Sequence, residues 1–181
     1  VPSGTFHFMP WGLLEEMAPV VILPTGGWLL RKSQKVESLS PPVIIGNPQF
    51  GGKMEPLPAA ELESRDVAKL FGTSPLLREE ATLEALQTQV GKGTSILHLA
   101  THGVYNDLDP LRSAFILTES GKARAVTAAD LLMDPLPAQL VVLSACETGL
   151  GKTLAGEDLQ GLTRSFYLGG SLAVLSSLWP V

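Results

Sequence analysis

The residues of this sequence best equipped for chemistry are one imidazole and one thiol, each at the end of an apolar run. Ser95-Ile-Leu leads into His98-Leu-Ala-Thr-His102-Gly103, and Gln139-Leu-Val-Val leads into Leu143-Ser-Ala-Cys146-Glu-Thr-Gly149. Short apolar runs of this kind predict buried strands, and in a parallel sheet ligands bind where the strands end. A cysteine with a histidine distant in sequence is the minimal equipment for thiolate catalysis. Facing the first turn of a following helix, the Cys146 thiol would feel partial positive charge that favours its thiolate. His102 would act as the general base, or as the imidazolium half of an ion pair. The backbone N–H groups of Gly103 and Cys146 would hold the oxyanion of a tetrahedral intermediate. A glycine beside the histidine lets backbone and substrate approach closely.

The same loop supports a rival chemistry. Gly149-Leu-Gly151-Lys152-Thr153 falls one residue short of a phosphate-binding loop, because the opening glycine would be Cys146. That reading needs a metal-holding acid at another strand end, and the predicted strands end in His102, Glu119 and Cys146 instead. A packing role competes too, since free cysteine is among the most buried residue types. His98, between alternating apolar neighbours, reads as an interior or edge histidine. His7, among Phe6, Phe8 and Trp11, reads as structural. Ser144 lacks the glycine-flanked elbow of a serine hydrolase. Asp107, Asp109, Glu157 and Asp158 could each line a pocket for a basic substrate residue, but they are equally ordinary as loop and helix-start acids.

The 181 residues bound these options: about one domain, 45% hydrophobic and 17% charged, carry a large core. A net charge of −5 with scattered Lys and Arg argues against nucleic-acid binding. The single cysteine excludes an internal disulfide. No apolar run reaches the ~18 residues of a membrane span. A cytoplasmic protein is the expectation, with no metal or organic cofactor. Beginning at Val1 and stopping at Trp179-Pro-Val181, the chain reads as a piece of a longer protein.

Several predicted elements must position the two motifs. Strands are expected at Thr5–Met9, Val20–Leu23, Val43–Gly46, Ser95–Ala100, Ala114–Leu117, Gln139–Leu143 and Ser171–Leu178. A polar surface loop is expected over Arg31–Pro42. Ala59–Phe71 reads as an amphipathic helix with Leu62, Val67, Leu70 and Phe71 on one side, acids early, Lys69 late and Gly72 closing it. Glu79–Val90 reads as a second helix, carrying Leu83, Leu86 and Val90. Thr127-Ala-Ala-Asp130 opens a short helix as a capping box. Ala155, Leu159, Leu162 and Phe166 line one face of a last helix. Strands alternating with helices predict an α/β fold, a mostly parallel sheet sandwiched between helices.

Read together, the motifs resemble the CHAT domain, a caspase-like, separase-related module often attached to tetratricopeptide repeats. The resemblance runs from Phe8-Met-Pro-Trp11-Gly-Leu-Leu through Ile45-Gly-Asn-Pro48-Gln-Phe, Ala81-Thr82, His98-Leu-Ala-Thr-His102-Gly103 and Ser113-Ala-Phe-Ile-Leu117. It is most specific at Leu143-Ser-Ala-Cys146-Glu-Thr-Gly-Leu-Gly151, Gly156-Glu157 and Ser177-Leu-Trp179-Pro-Val. It implies a caspase-like fold over residues 1–181, with His102 as catalytic histidine and Cys146 as nucleophile. The implied function is a cysteine endopeptidase that cleaves a partner protein through a Cys146 thioester, controlled by a neighbouring repeat or sensor domain. On this resemblance Lys152 is a surface residue, and a non-catalytic caspase-fold interaction domain is the alternative. Two departures stand out: Glu157-Asp158 where the family often has Glu-Gly, and no sequence after Val181, where the family continues. A fragment truncated at its C-terminus, without a substrate-binding acid, is therefore expected.

Overall fold

The computed structural model describes residues 40–91, 93–106, 108–144 and 159–176. The apolar runs become strands: β1 (Val43–Pro48), β2 (Leu76–Arg78), β3 (Thr94–Ala100), β7 (Ala138–Leu143) and β8 (Ala173–Ser176). Among the described residues these form one parallel sheet in the order β2-β1-β3-β7-β8, with β3 in the middle. Helices α1 (Pro58–Phe71), α2 (Leu83–Val90), α3 (Ala128–Met133) and α4 (Leu159–Leu168) connect and flank it. The mixed α/β fold with a mostly parallel, helix-flanked sheet is the one the alternation predicted.

Side chains alternate across each strand and so sort into two layers. On one face Val43, Ile45, Leu97, Leu99, Val141 and Leu143 join Leu86, Val90, Phe115, Leu117, Leu162 and Phe166 in one buried core. The other face carries Gly46 and His98 and is covered by α1. There a Cβ added to Gly46 would lie 2.2 Å from the Ser64 Oγ and 2.9 Å from the Ala60 carbonyl oxygen. The glycine is what lets the helix approach this strand so closely.

That close approach overturns the predicted face of α1. Leu62, Leu70 and Phe71 point to solvent at 62%, 83% and 47% exposure, while Ser64 and Ala68 are buried. Only small side chains fit between the helix and Gly46, so the large apolar ones turn outward. The ends of α1 are as expected. Glu61 lies in the first turn, Lys69 in the last, and Gly72 closes the helix by donating to the carbonyls of Ala68 and Lys69.

Two more expectations change. The helix predicted over Glu79–Val90 starts only at Leu83, because Leu76–Arg78 joins the sheet as β2 and the Glu80 N–H donates back to Leu77. Thr82 then caps α2 by accepting from the Ala85 N–H at 3.1 Å. The strand predicted at Ala114–Leu117 does not enter the parallel sheet. It runs to Glu119 as β5 and pairs with β4 (Gly103–Val104) and β6 (Lys122–Thr127) in a separate antiparallel sheet. Ser120 and Gly121, at φ 50° and 73°, form the two-residue turn that matches strand twist in a tight hairpin. The capping box is present, with Thr127 and Asp130 bonding each other's backbone ahead of α3. Leu162 and Phe166 are buried on α4 as expected. The elements predicted at Thr5–Met9 and Val20–Leu23 lie outside the described residues, as do residues 31–39, 155 and 177–181.

Candidate active site

β3 delivers His102 just past its carboxyl end, where the chain crosses to the second sheet. The Thr101 Oγ1 donates to the Ile116 carbonyl at 2.6 Å, and the Ile116 N–H donates to the His102 carbonyl at 2.9 Å. The backbone carrying the imidazole is therefore tied to β5. His102 is 2% exposed, and its ring meets the buried Phe50 ring at a centroid distance of 4.7 Å. Its Nε2 lies 2.7 Å from the Glu55 backbone carbonyl oxygen. A carbonyl only accepts, so Nε2 carries the proton and Nδ1 is the basic nitrogen of the neutral ring. A histidine oriented by a third group in this way is suited to act as a base.

The imidazole thus rests on the loop between β1 and α1, through Phe50 and the Glu55 carbonyl. Neither residue stood out as a site residue in the sequence. Phe50 lies just past β1 beside Gly51 and Gly52, and a backbone carbonyl has no side-chain signature to read.

β7 runs beside β3 in parallel, with His98 opposite Val142 and Leu99 opposite Leu143. The Ser144 N–H continues this ladder by donating to the Leu99 carbonyl at 3.0 Å. Cys146 lies outside the described residues, as do Gly149–Thr153, Asp107, Glu157 and Asp158. Gly103 opens β4 opposite Phe115. Because Ile116 bonds His102, Gly103 and Phe115 form a non-hydrogen-bonded pair, and the Gly103 N–H is directed away from β5. Asp109 accepts from the Leu111 N–H and pairs with Arg112, holding the single 3-10 turn at Pro110–Arg112. Its carboxylate is a turn cap.

His98 is separate from this edge. Its side chain is buried under α1, with Nε2 3.0 Å from the Glu63 Oε1. Burial pushes its pKa below the ordinary imidazole value, and the Glu63 charge partly offsets that. It is the interior histidine its apolar neighbours suggested. No helix among the described residues is long and apolar enough to cross a membrane.

Comparison with known proteins decides the family, since the family model for the CHAT domain matches residues 1–181. The chain belongs to the CHAT domain family. This CHAT domain is similar to tetratricopeptide repeat protein 28 of Homo sapiens, at 29% identity over 184 residues and 80% of the chain. It is similar to tetratricopeptide repeat protein 28 of Mus musculus at 28% identity, over 84% of the chain. It spans only 7% and 8% of the length of these two relatives.

Proposed function

We propose that this CHAT domain is a cysteine endopeptidase in which Cys146 is the nucleophile and His102 the general base and acid. The observation that carries the reading is His102 itself. It stands at the carboxyl end of the central strand with Nε2 committed to the Glu55 carbonyl, which leaves Nδ1 as the proton-accepting nitrogen. Further support comes from β7, hydrogen-bonded to β3, whose ladder reaches Ser144, two residues before Cys146 in sequence.

In the proposed reaction the Cys146 sulfur attacks the carbonyl carbon of a peptide bond while His102 holds the thiol proton. The backbone N–H groups of Gly103 and Cys146 receive the negative oxygen. Collapse of this intermediate breaks the C–N bond, and His102 gives its proton to the leaving amine. A thioester on Cys146 remains. Water then attacks it, His102 takes a proton from the water, and the C–S bond breaks. The carboxylic acid leaves and the thiol is restored. No metal or cofactor is required for these steps. The substrate would be a partner protein, and repeats like those that name the relatives would regulate access from the same or a partner chain. The cytoplasm is the compartment proposed.

The test compares wild type with Cys146→Ala in the intact parent protein, together with its candidate partners. New N-termini that appear only with the wild type establish peptide-bond hydrolysis. Absence of any difference, with a Cys146 thiol that resists alkylation in the folded protein, would leave a non-catalytic interaction domain instead.

A further inference from the structure

The Ile45-Gly-Asn-Pro48 motif has no part in the chemistry above, yet the side chain of Asn47 spans the whole loop on which His102 rests. Asn47 is 3% exposed and has φ 46°, the left-handed region that asparagine tolerates better than other side chains. From there its Oδ1 accepts from the Leu57 N–H at 2.7 Å, and its Nδ2 donates to the Glu61 Oε2 at 3.0 Å. Residues 47 and 57 are the two ends of the loop that carries Phe50 and Glu55. One buried amide therefore closes the loop at both ends. Its anchor is fixed in turn, because the Glu61 carboxylate is also held by Arg65 at 2.9 Å and Arg78 at 2.8 Å. Arg65 above all, then Asn47, keeps the Glu61 carboxyl below its usual range, so it is ionised and accepts from Asn47 at neutral pH.

We infer that Asn47 is a positioning residue for His102: by pinning Leu57 it holds the Glu55 carbonyl on Nε2 and so selects the ring tautomer that leaves Nδ1 basic. The Leu57 carbonyl is held separately by the Glu61 N–H at 3.1 Å, so Asn47 fixes the side of Leu57 that faces the loop, and Glu55 is two residues away on that side. A displacement of about 1 Å would carry the 2.7 Å contact beyond hydrogen-bond range. The imidazole would then lose the hold of the Glu55 carbonyl on its tautomer while the sheet around it stayed intact. This role rests on the peptidase reading, since a basic Nδ1 matters only if His102 moves protons for Cys146.

The test combines 15N NMR of the His102 ring with iodoacetamide alkylation of Cys146 across pH, in the intact chain. Asn47→Gly keeps the left-handed backbone and removes both side-chain bonds. It is expected to turn a single Nε2–H tautomer into a mixture and to slow alkylation at pH 7 about tenfold. Asn47→Asp restores the acceptor for Leu57 but loses the bond to Glu61 and faces its carboxylate, so it is expected to bring the tautomer back only in part. Should Asn47→Gly fail to fold, Glu61→Ala removes the anchor, with its exposed pairs to Arg65 and Arg78, but keeps the Asn47 bond to Leu57, and is expected to shift both readouts the same way by a smaller factor. A wild-type tautomer and pH profile in Asn47→Gly, or in Glu61→Ala where the glycine variant does not fold, would overturn the inference. The peptidase reading fails separately, if wild-type Cys146 is inert and His102→Ala leaves it unchanged. The tautomer would still decide the role of Asn47 in that case.

Discussion

Replacing Gly46 with alanine is expected to destabilise the protein far more than one methyl group suggests. The new Cβ would lie 2.2 Å from the Ser64 Oγ, 2.5 Å from the Ser64 Cβ and 2.9 Å from the Ala60 carbonyl oxygen. A serine rotamer change cannot clear this, because two of the three atoms belong to the helix backbone or its first side-chain carbon. Relief requires α1 to move outward by about 1 Å, against an interior packed as tightly as an organic crystal. Overpacking of that size costs about 1–3 kcal/mol. Moving Ser64 also strains its buried 3.1 Å hydrogen bond to the Ile45 carbonyl, and losing that bond would cost about 1 kcal/mol more. The sum of about 2–4 kcal/mol corresponds to a fall of roughly 4–15 °C in Tm for a chain of this length. Urea unfolding of the intact protein measures the loss as a lower midpoint at unchanged slope. Ser64→Gly removes the two nearest atoms, so the double variant is expected to be more stable than the two single losses add to, by about 1–3 kcal/mol. A Gly46→Ala midpoint equal to wild type, or strict additivity in the cycle, would refute the steric account.

Three further outcomes follow from burial and charge. The pKa of His98 is depressed by burial in the folded state, so its contribution to stability is full above the ordinary value of 6.5 and is lost as pH falls through the folded value. Glu63→Gln removes the charge that offsets burial, and urea midpoints are expected to fall more steeply below pH 6.5 than in wild type; parallel profiles would show that the pair does not interact. Leu86→Ala, at a position fully buried on α2, is expected to cost about 2–5 kcal/mol in the same assay. Leu70→Ala, 83% exposed on α1, is expected to stay within about 0.5 kcal/mol of wild type, and a large loss there would restore the amphipathic face read from the sequence.

Much of the scaffold was legible because its signals are local. The runs ending at Ala100 and Leu143 are mostly apolar on both faces, with His98 the exception at the centre of β3, as suits strands in a helix-flanked parallel sheet. Thr127 with Asp130, and Gly72 after α1, satisfy helix-end groups from within a few residues, so their pattern is visible in the text. The different placement of His102 and His98 was legible for a related reason: one follows the strand and precedes a glycine, while the other sits among apolar neighbours.

The features that went unread depend on what lies opposite. The face that α1 buries was decided by Gly46 on a neighbouring strand, which admits Ser64 and leaves Leu62 and Leu70 facing outward. Periodicity within the helix carries no information about that gap. Ala114–Glu119 is apolar enough for either sheet, and the positive φ at Ser120 and Gly121 folds it back onto Lys122–Thr127 instead. The orientation of the imidazole is the clearest case. The sequence by itself determined that a histidine would stand at a strand's end. Only the tertiary structure decided that a backbone carbonyl from another loop would bond one of its nitrogens, because every residue has such a carbonyl and only the fold brings that of Glu55 to His102.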